Sequence, residues 1–421
     1  MPSEILDPAS PLQRPAGRRP ALRTLRLGFV QLTDAAPLLV AEELGLFDAV
    51  GLRVALSAEG AWAALRDKLA FGALDAAQLL GPMPIALSAG LDGVKAQLTV
   101  AAGLGANGNT LTLSKPLAEA IGRFPRPLPA AAFAAAARRR AAAGKPVTLG
   151  VVFPYSSHNY LLRWWLASAG LDPDRDLRLV VVPPVLCAQR LADGSIDGFC
   201  AGEPWGSHAA ERGLGTIALS TGDIWPNHPE KVLAFAAGYA LRDPESATAC
   251  TAAIIAAARW LDAPENQAEA VHILQRRAFP DLSAAAIAAA FDGTAEGLMQ
   301  AAPLRFRTAT LPRRDQAAWW LRQMRRWGHV PAGIAEATAL APWRQDIWRA
   351  AASRLREVEP PAPSPPPADL PEPTRGHLPA ATPSPAPPRC WPPPAPPPRA
   401  APSRKARPGR RSPRQRWATS P

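Results

Sequence analysis

The segment 147–169, VTLGVVFPYSSHNYLLRWWLASA, reads as a buried strand, a tight turn and a helix, with His158 in the helix's first turn. A helix start offers unpaired backbone N–H groups and the positive end of a dipole, which together suit a small anion. Asn227-His228-Pro229-Glu230-Lys231 lies further along the chain and offers a cation. A small oxyanion presents only hydrogen-bond acceptors. Its site needs donors, one or two cations, and no unpaired carboxylate facing the ligand.

Four residues are candidates for that work. His158 can donate from a ring nitrogen and changes charge near neutral pH. It also shares a helix face with Leu161, Leu162, Trp165, Leu166 and Ala169, so the competing reading is a core or capping histidine. Lys231 precedes the apolar run Val232 to Phe235; otherwise it is a solvated lysine. Trp62, at the start of AWAALRDKL, carries an indole N–H on an apolar body; the competing reading is core packing. Asn109, in GANGNTLTLS, can donate from its amide, though Gly-Asn stretches are usually turns. Glu203, in Gly202-Glu203-Pro204-Trp205, reads mainly as structural at a strand-to-helix junction, or as a group orienting a lysine or histidine.

No reaction machinery accompanies them. The chain lacks a Gly-rich phosphate loop, G-x-S-x-G and H-E-x-x-H, and its six histidines have no paired spacing. The expectation is a binding protein without catalytic residues, metal or cofactor.

The elements around these residues alternate. Arg26–Val30, Leu52–Leu56 and Leu74–Leu80 read as strands. Asp34 reads as the cap of a helix running to about Phe47, and Ala61–Phe71 as a second helix. The alternation pauses over 101–114 and resumes with an alanine helix at 129–143. Strand 147–153, helix 157–169 and strand 177–182 come next. From about Pro244 to Val358 the pattern is almost all helical. This order predicts an α/β fold with mostly parallel sheets and two lobes around a cleft.

The net charge of +12 resembles a nucleic-acid signature until it is located. Residues 360–421 hold ten Lys or Arg against Asp369 and Glu372, together with 23 of the 50 prolines. The body is therefore only mildly basic, and no direct nucleic-acid binding is expected. The tail 359–421 reads as disordered, like the Pro/Arg-rich leader 1–23. Four cysteines form no C-x-x-C pair, which argues against a disulfide framework. Arg18-Arg19 resembles the start of a twin-arginine signal, but Arg23 and Arg26 interrupt the stretch after it. No stretch reaches transmembrane length. The expectation is a cytoplasmic protein with no membrane association.

At several places the chain resembles the nitrate/bicarbonate-binding proteins of ABC transporters. The segments are LGFVQLTDAAPLLVAEELGLF, GALDAAQLLGPMPIALSAG, SSHNYLLRWWLASAG, DGSIDGFCAGEPW, DIWPNHPEKVLAF and RRDQAAWWLRQMRRWG, spread over roughly 24–350. The resemblance implies a type II periplasmic-binding-protein fold. One lobe would comprise 24–112 and 231–358, and the other 113–230. It also implies a nitrate pocket of Trp62, Asn109, His158 and Lys231. The amide is commonly Gln in the family, and the family's His favours nitrate or nitrite over bicarbonate. Without an export device, the chain looks most like the cytoplasmic NasS-type sensor branch. Such sensors hold an RNA-binding ANTAR-domain antiterminator until nitrate or nitrite releases it. The alternative is a transporter's substrate-binding component whose true start lies upstream. A pyrimidine synthase of thiamine biosynthesis shares the broad fold, but its cysteine cluster has no counterpart here.

Overall fold

The structure is a computed structural model and describes residues 23–294, 302–331 and 333–370. The leader up to residue 22 and the tail beyond 370 lie outside the described residues. Among the described residues ten strands run in chain order: β1 (Arg23–Val30), β2 (Leu52–Glu59), β3 (Ala76–Leu80), β4 (Leu98–Gly103), β5 (Asn109–Ser114), β6 (Thr148–Val151), β7 (Arg178–Val181), β8 (Gly198–Gly202), β9 (Gly215–Ser220) and β10 (Lys231–Ala236). They form two five-stranded sheets, β2-β1-β3-β10-β4 and β7-β6-β8-β5-β9. Each sheet is the centre of an α/β lobe.

Both sheets are mixed, which corrects the expectation of mostly parallel pairing. β1 is parallel to β2 and β3, and β6 to β7 and β8. β10 runs antiparallel to β3 and β4, and β5 antiparallel to β8 and β9. The reason is connectivity. The chain crosses to the second lobe after β4 and returns after β9, and each strand that completes a crossing lies between two strands of its sheet and antiparallel to both. The first crossing ends at Asn109, slightly before the expected boundary at 112.

The two crossings pair with each other. Glu230 donates its backbone N–H to Gly105 (3.1 Å), Asn107 to His228 (3.1 Å), and Leu104 to Lys231 (2.8 Å). This two-stranded ribbon fixes where Asn109 and Lys231 begin their strands. Antiparallel strands start at the edge where parallel strands end. The first residues of β5 and β10 therefore share an edge with the carboxyl ends of β1, β2, β6 and β8, where α/β sheets bind ligands.

The first lobe is thick with helices. The helix Pro244–Leu261 is buried from Ser246 to Ala258, and its alanines let the helices Ala36–Glu43 and Gln345–Arg354 approach closely. Gly81 makes room for a tryptophan: a Cβ there would stand 2.1 Å from the ring of Trp320. The second lobe has its own core, with Leu111, Phe133, Leu149, Leu162 and Trp165 at its centre.

Composition predicts that residues 359–370 belong to a disordered tail, yet they lie against the body. The indole N–H of Trp225 donates to the Ser364 carbonyl (3.0 Å) and that of Trp164 to Ala368 (3.0 Å). Arg313 donates to Pro361 (3.0 Å) and Arg326 to Leu370 (2.7 Å). Proline lacks an N–H and holds the chain extended, leaving carbonyls free for outside donors. Composition alone hides such a strap, because its partners are side chains far away in sequence.

Candidate functional site

Lys231 opens β10 and is 1% exposed. Its Nζ lies 2.6 Å from Asp34 Oδ2 and 2.7 Å from Glu230 Oε2. Burial disfavours the ammonium, but the two carboxylates outweigh it and raise the lysine above its ordinary pKa. Lys231 is therefore a buried, charged cation rather than a solvated lysine.

Asp34 is not the helix cap that the sequence suggested. The helix starts at Ala36 with no side-chain cap, and Asp34 sits in a 3-10 turn just after β1. Its Oδ1 accepts from Gln78 Nε2 (2.7 Å), while Gln78 Oε1 accepts from the Val30 N–H (2.9 Å). Burial pushes Asp34 above the usual carboxylate range against the pull of Lys231. A capping aspartate and a buried one look alike in sequence when both follow a strand.

Glu230 ties the two lobes together. Its Oε1 accepts from Asn109 Nδ2 at 2.6 Å, and His228 Nδ1 lies 3.6 Å away. Burial pushes Glu230 up, but Lys231, His228 and His158 bring it below its ordinary value. Asn109 Nδ2 thus donates one N–H to Glu230 and turns toward Thr221 Oγ1 (3.4 Å) with the other. The amide Oδ1 is buried without a partner.

His158 lies in the first turn of the helix Ser157–Ser168, capped by the Ser156 hydroxyl. The Val152 backbone N–H donates to Nε2 (3.3 Å), and Ser156 Oγ is 3.0 Å from the same atom. A backbone N–H has only a proton to offer, so Nε2 holds the lone pair and Nδ1 carries the hydrogen. Burial lowers the ring to about 3, opposed by Glu230 and assisted by Lys231. The imidazole is neutral, and its Nδ1–H is buried without a partner.

Trp62 begins the helix Trp62–Ala70 just beyond β2, and its Nε1–H is likewise buried and unpaired. It bonds to none of the other three candidates. Two hydroxyls that sequence reasoning missed share this condition: Thr33 Oγ1, beside Asp34, and Ser157 Oγ, beside His158. Their signal was position alone, each being the nearest neighbour of a charged or ring side chain at a strand end. Unpaired donors in a protein interior are costly and usually have a partner.

Glu203 does not orient a lysine or histidine. Its carboxylate accepts from Thr110 Oγ1 (2.9 Å) and the Ser207 N–H (3.0 Å), while its backbone carbonyl accepts from the Thr33 N–H across the lobes (2.8 Å). Burial raises its pKa. Further bonds close the lobes: Trp205 Nε1 to the Gln31 carbonyl (3.1 Å), Tyr155 OH to Asp92 (3.0 Å), and Tyr160 OH with His329 Nδ1 (2.8 Å). Among the described residues, no group of three His, Cys, Asp or Glu side chains is arranged to hold a metal ion. No helix among them is long and apolar enough to cross a membrane.

The two-lobed fold has counterparts among known proteins. Residues 18–275 match the family model described as the NMT1-like family. The chain belongs to the NMT1-like family. It is 33% identical over 367 residues to the nitrate/nitrite binding protein NrtA of Synechococcus elongatus, covering 82% of this chain and 81% of that protein. It is 31% identical over 364 residues to the bicarbonate-binding protein CmpA of the same organism, covering 79% of each. The nitrate import ATP-binding protein NrtC of Synechocystis is 36% identical over 319 residues, but this chain spans only 46% of its length. The crystal structure of periplasmic NrtA from Synechocystis superposes with a TM-score of 0.73 at 29% identity, covering 80% of this chain and 90% of that one. These NMT1-like relatives, apart from the ATP-binding protein, are named as binding proteins.

Proposed function

We propose that this chain captures nitrate or nitrite between its two lobes. The observation that carries this reading is the pairing of a buried ammonium, Lys231, with buried N–H donors that have no partner, Trp62 Nε1 and His158 Nδ1. An anion that only accepts hydrogen bonds would satisfy those donors together. The similarity to nitrate/nitrite binding proteins supports the same ligand class. Calorimetric titration of the purified protein tests it. Nitrate should bind, and His158→Ala and Lys231→Ala should each weaken binding; unchanged affinity in both variants would refute the assigned pocket. Bicarbonate is the competitor to titrate alongside, because it carries an O–H that the unpartnered Asn109 Oδ1 can accept.

For the use made of this capture, we infer a cytoplasmic sensor that holds an ANTAR-domain antiterminator and releases it when the ligand closes the lobes. The resemblance of the motif set to nitrate/bicarbonate-binding proteins supports the capture step on which such a sensor would depend. The device requires only that ligand and partner prefer different lobe arrangements. Delivery to a transporter is the second reading, favoured by the similarity to NrtA. Capture of the antiterminator from lysate that nitrate abolishes supports the sensor. Fractionation of the protein with the periplasm supports delivery.

A further inference from the structure

Resting on the reading of this site as an anion pocket, we propose that the anion enters together with a proton, which Asp34 takes up at Oδ2. Asp34 and Glu230 are carboxylates within 2.6 and 2.7 Å of Lys231 Nζ, and all three side chains are at most 2% exposed. His158, neutral, adds nothing, so the cluster carries a net negative charge before any anion arrives. A second negative charge in the same dry volume is unfavourable, since buried charge is tolerated only when matched. A proton taken from solvent restores the balance.

The hydrogen-bond directions select the acceptor. Lys231 is already protonated. On His158, Nδ1 carries a hydrogen and the Nε2 lone pair faces the Val152 N–H, so that ring has no free position. Glu230 already accepts from Asn109 and Lys231, with His228 behind it, and is the carboxylate best stabilised as an anion. His228 holds its Nδ1–H toward the Pro229 carbonyl (3.2 Å) and has Thr221 Oγ1 2.7 Å from Nε2. The Cys200 thiol is buried nearby and is pushed well above its ordinary pKa, so it stays protonated. Glu203 is turned to Thr110 and Ser207.

Asp34 remains. Gln78 is fixed by the Val30 N–H, so its amide N–H must point at Asp34 Oδ1 and occupies one of that oxygen's lone pairs. Oδ2 has only Lys231. Once protonated there, Asp34 releases its half of the ammonium and becomes an O–H donor itself. Lys231 stays anchored to Glu230. The arriving anion then meets two new donors where an ion pair had been. Burial already pushes Asp34 upward, which eases the step.

The test is calorimetry with sodium nitrate on the intact protein, in phosphate and in Tris, whose ionisation enthalpies differ widely. The expected result is uptake of about one proton per nitrate. Affinity should fall about tenfold for each unit of pH rise near neutrality. Asp34→Asn should bind nitrate with no uptake and no such pH dependence. Difference infrared spectra of the unaltered protein give an independent readout: the C=O stretch of a protonated carboxyl should appear on adding nitrate. Nitrate binding with buffer-independent heat overturns the proposal, and so does an Asp34→Asn protein that keeps the uptake. Absence of any nitrate binding overturns the ligand reading and this proposal with it.

Discussion

The two lobes contribute different kinds of chemistry to their shared edge. The first lobe and the returning crossing bring the charges: Asp34 beyond β1, Glu230 in the crossing, and Lys231 opening β10. The second lobe brings neutral groups: the imidazole of His158, the Asn109 amide and the Ser157 hydroxyl, each with an atom left unpaired. The contrast assigns the roles. The opposing lobe supplies uncharged donors and acceptors. The bond between Glu230 and Asn109 spans the two sets.

The contrast breaks most visibly at Lys231. Removing it as Lys231→Ala leaves two buried carboxylates facing each other. We expect a stability loss of about 3–5 kcal/mol by urea denaturation and no measurable nitrate binding by calorimetry. A variant as stable as the parent would show that the first lobe's charges are not coupled. His158→Ala tests the other side. It deletes one donor to the anion, about 1.5–3 kcal/mol for a hydrogen bond to a charged group, so nitrate affinity should fall on the order of tenfold to a hundredfold. Trp62→Phe keeps the ring and removes only the N–H. A roughly tenfold loss of affinity is expected, near the lower end of that range.

The acid side gives a further measure. His158 is lowered to about 3 and His329 to about 4, mainly by burial, against about 6.5 for a free histidine. Below about pH 6.5 the unfolded chain binds protons that these rings refuse in the fold. Their contribution is therefore complete above pH 6.5 and is lost as pH falls toward 4, by about 1.4 kcal/mol per ring and pH unit. Urea melts from pH 7 to pH 4.5 should show this slope, and His329→Gln should reduce it. The smallest effect belongs to the strap. Ending the chain at Val358 removes the bonds from Trp225, Trp164, Arg313 and Arg326, each worth about 0.5–1.5 kcal/mol. The midpoint of thermal unfolding should fall by several degrees while nitrate affinity is retained, because the strap touches none of the site residues.

Much of the fold was legible because it follows from local pattern. The turn before His158, the helix start at Trp62 and the alanine-rich helix after Pro244 each announce themselves by spacing and composition. The mixed sheets were not legible, since the direction of β5 and β10 depends on crossings that join the two halves of the chain. At the site, His158 and Lys231 could be found as a donor and a cation. Their partners could not. Asp34 read as a cap because the residue that recruits it, Lys231, is almost two hundred positions away. For Asn109, nothing in its sequence neighbourhood reveals Glu230 across the crossing. The strap at 359–370 was hidden for the same reason, its partners Trp164 and Trp225 being far upstream.

The central claim is that the two lobes enclose an anion site in which one contributes charge and the other neutral donors. The most direct measurement is a calorimetric titration of the protein and its Lys231→Ala and His158→Ala variants with nitrate. The account predicts one nitrate per chain, binding abolished without Lys231 and weakened on the order of tenfold to a hundredfold without His158. Equal affinity in all three proteins, or no nitrate binding in any, would contradict it.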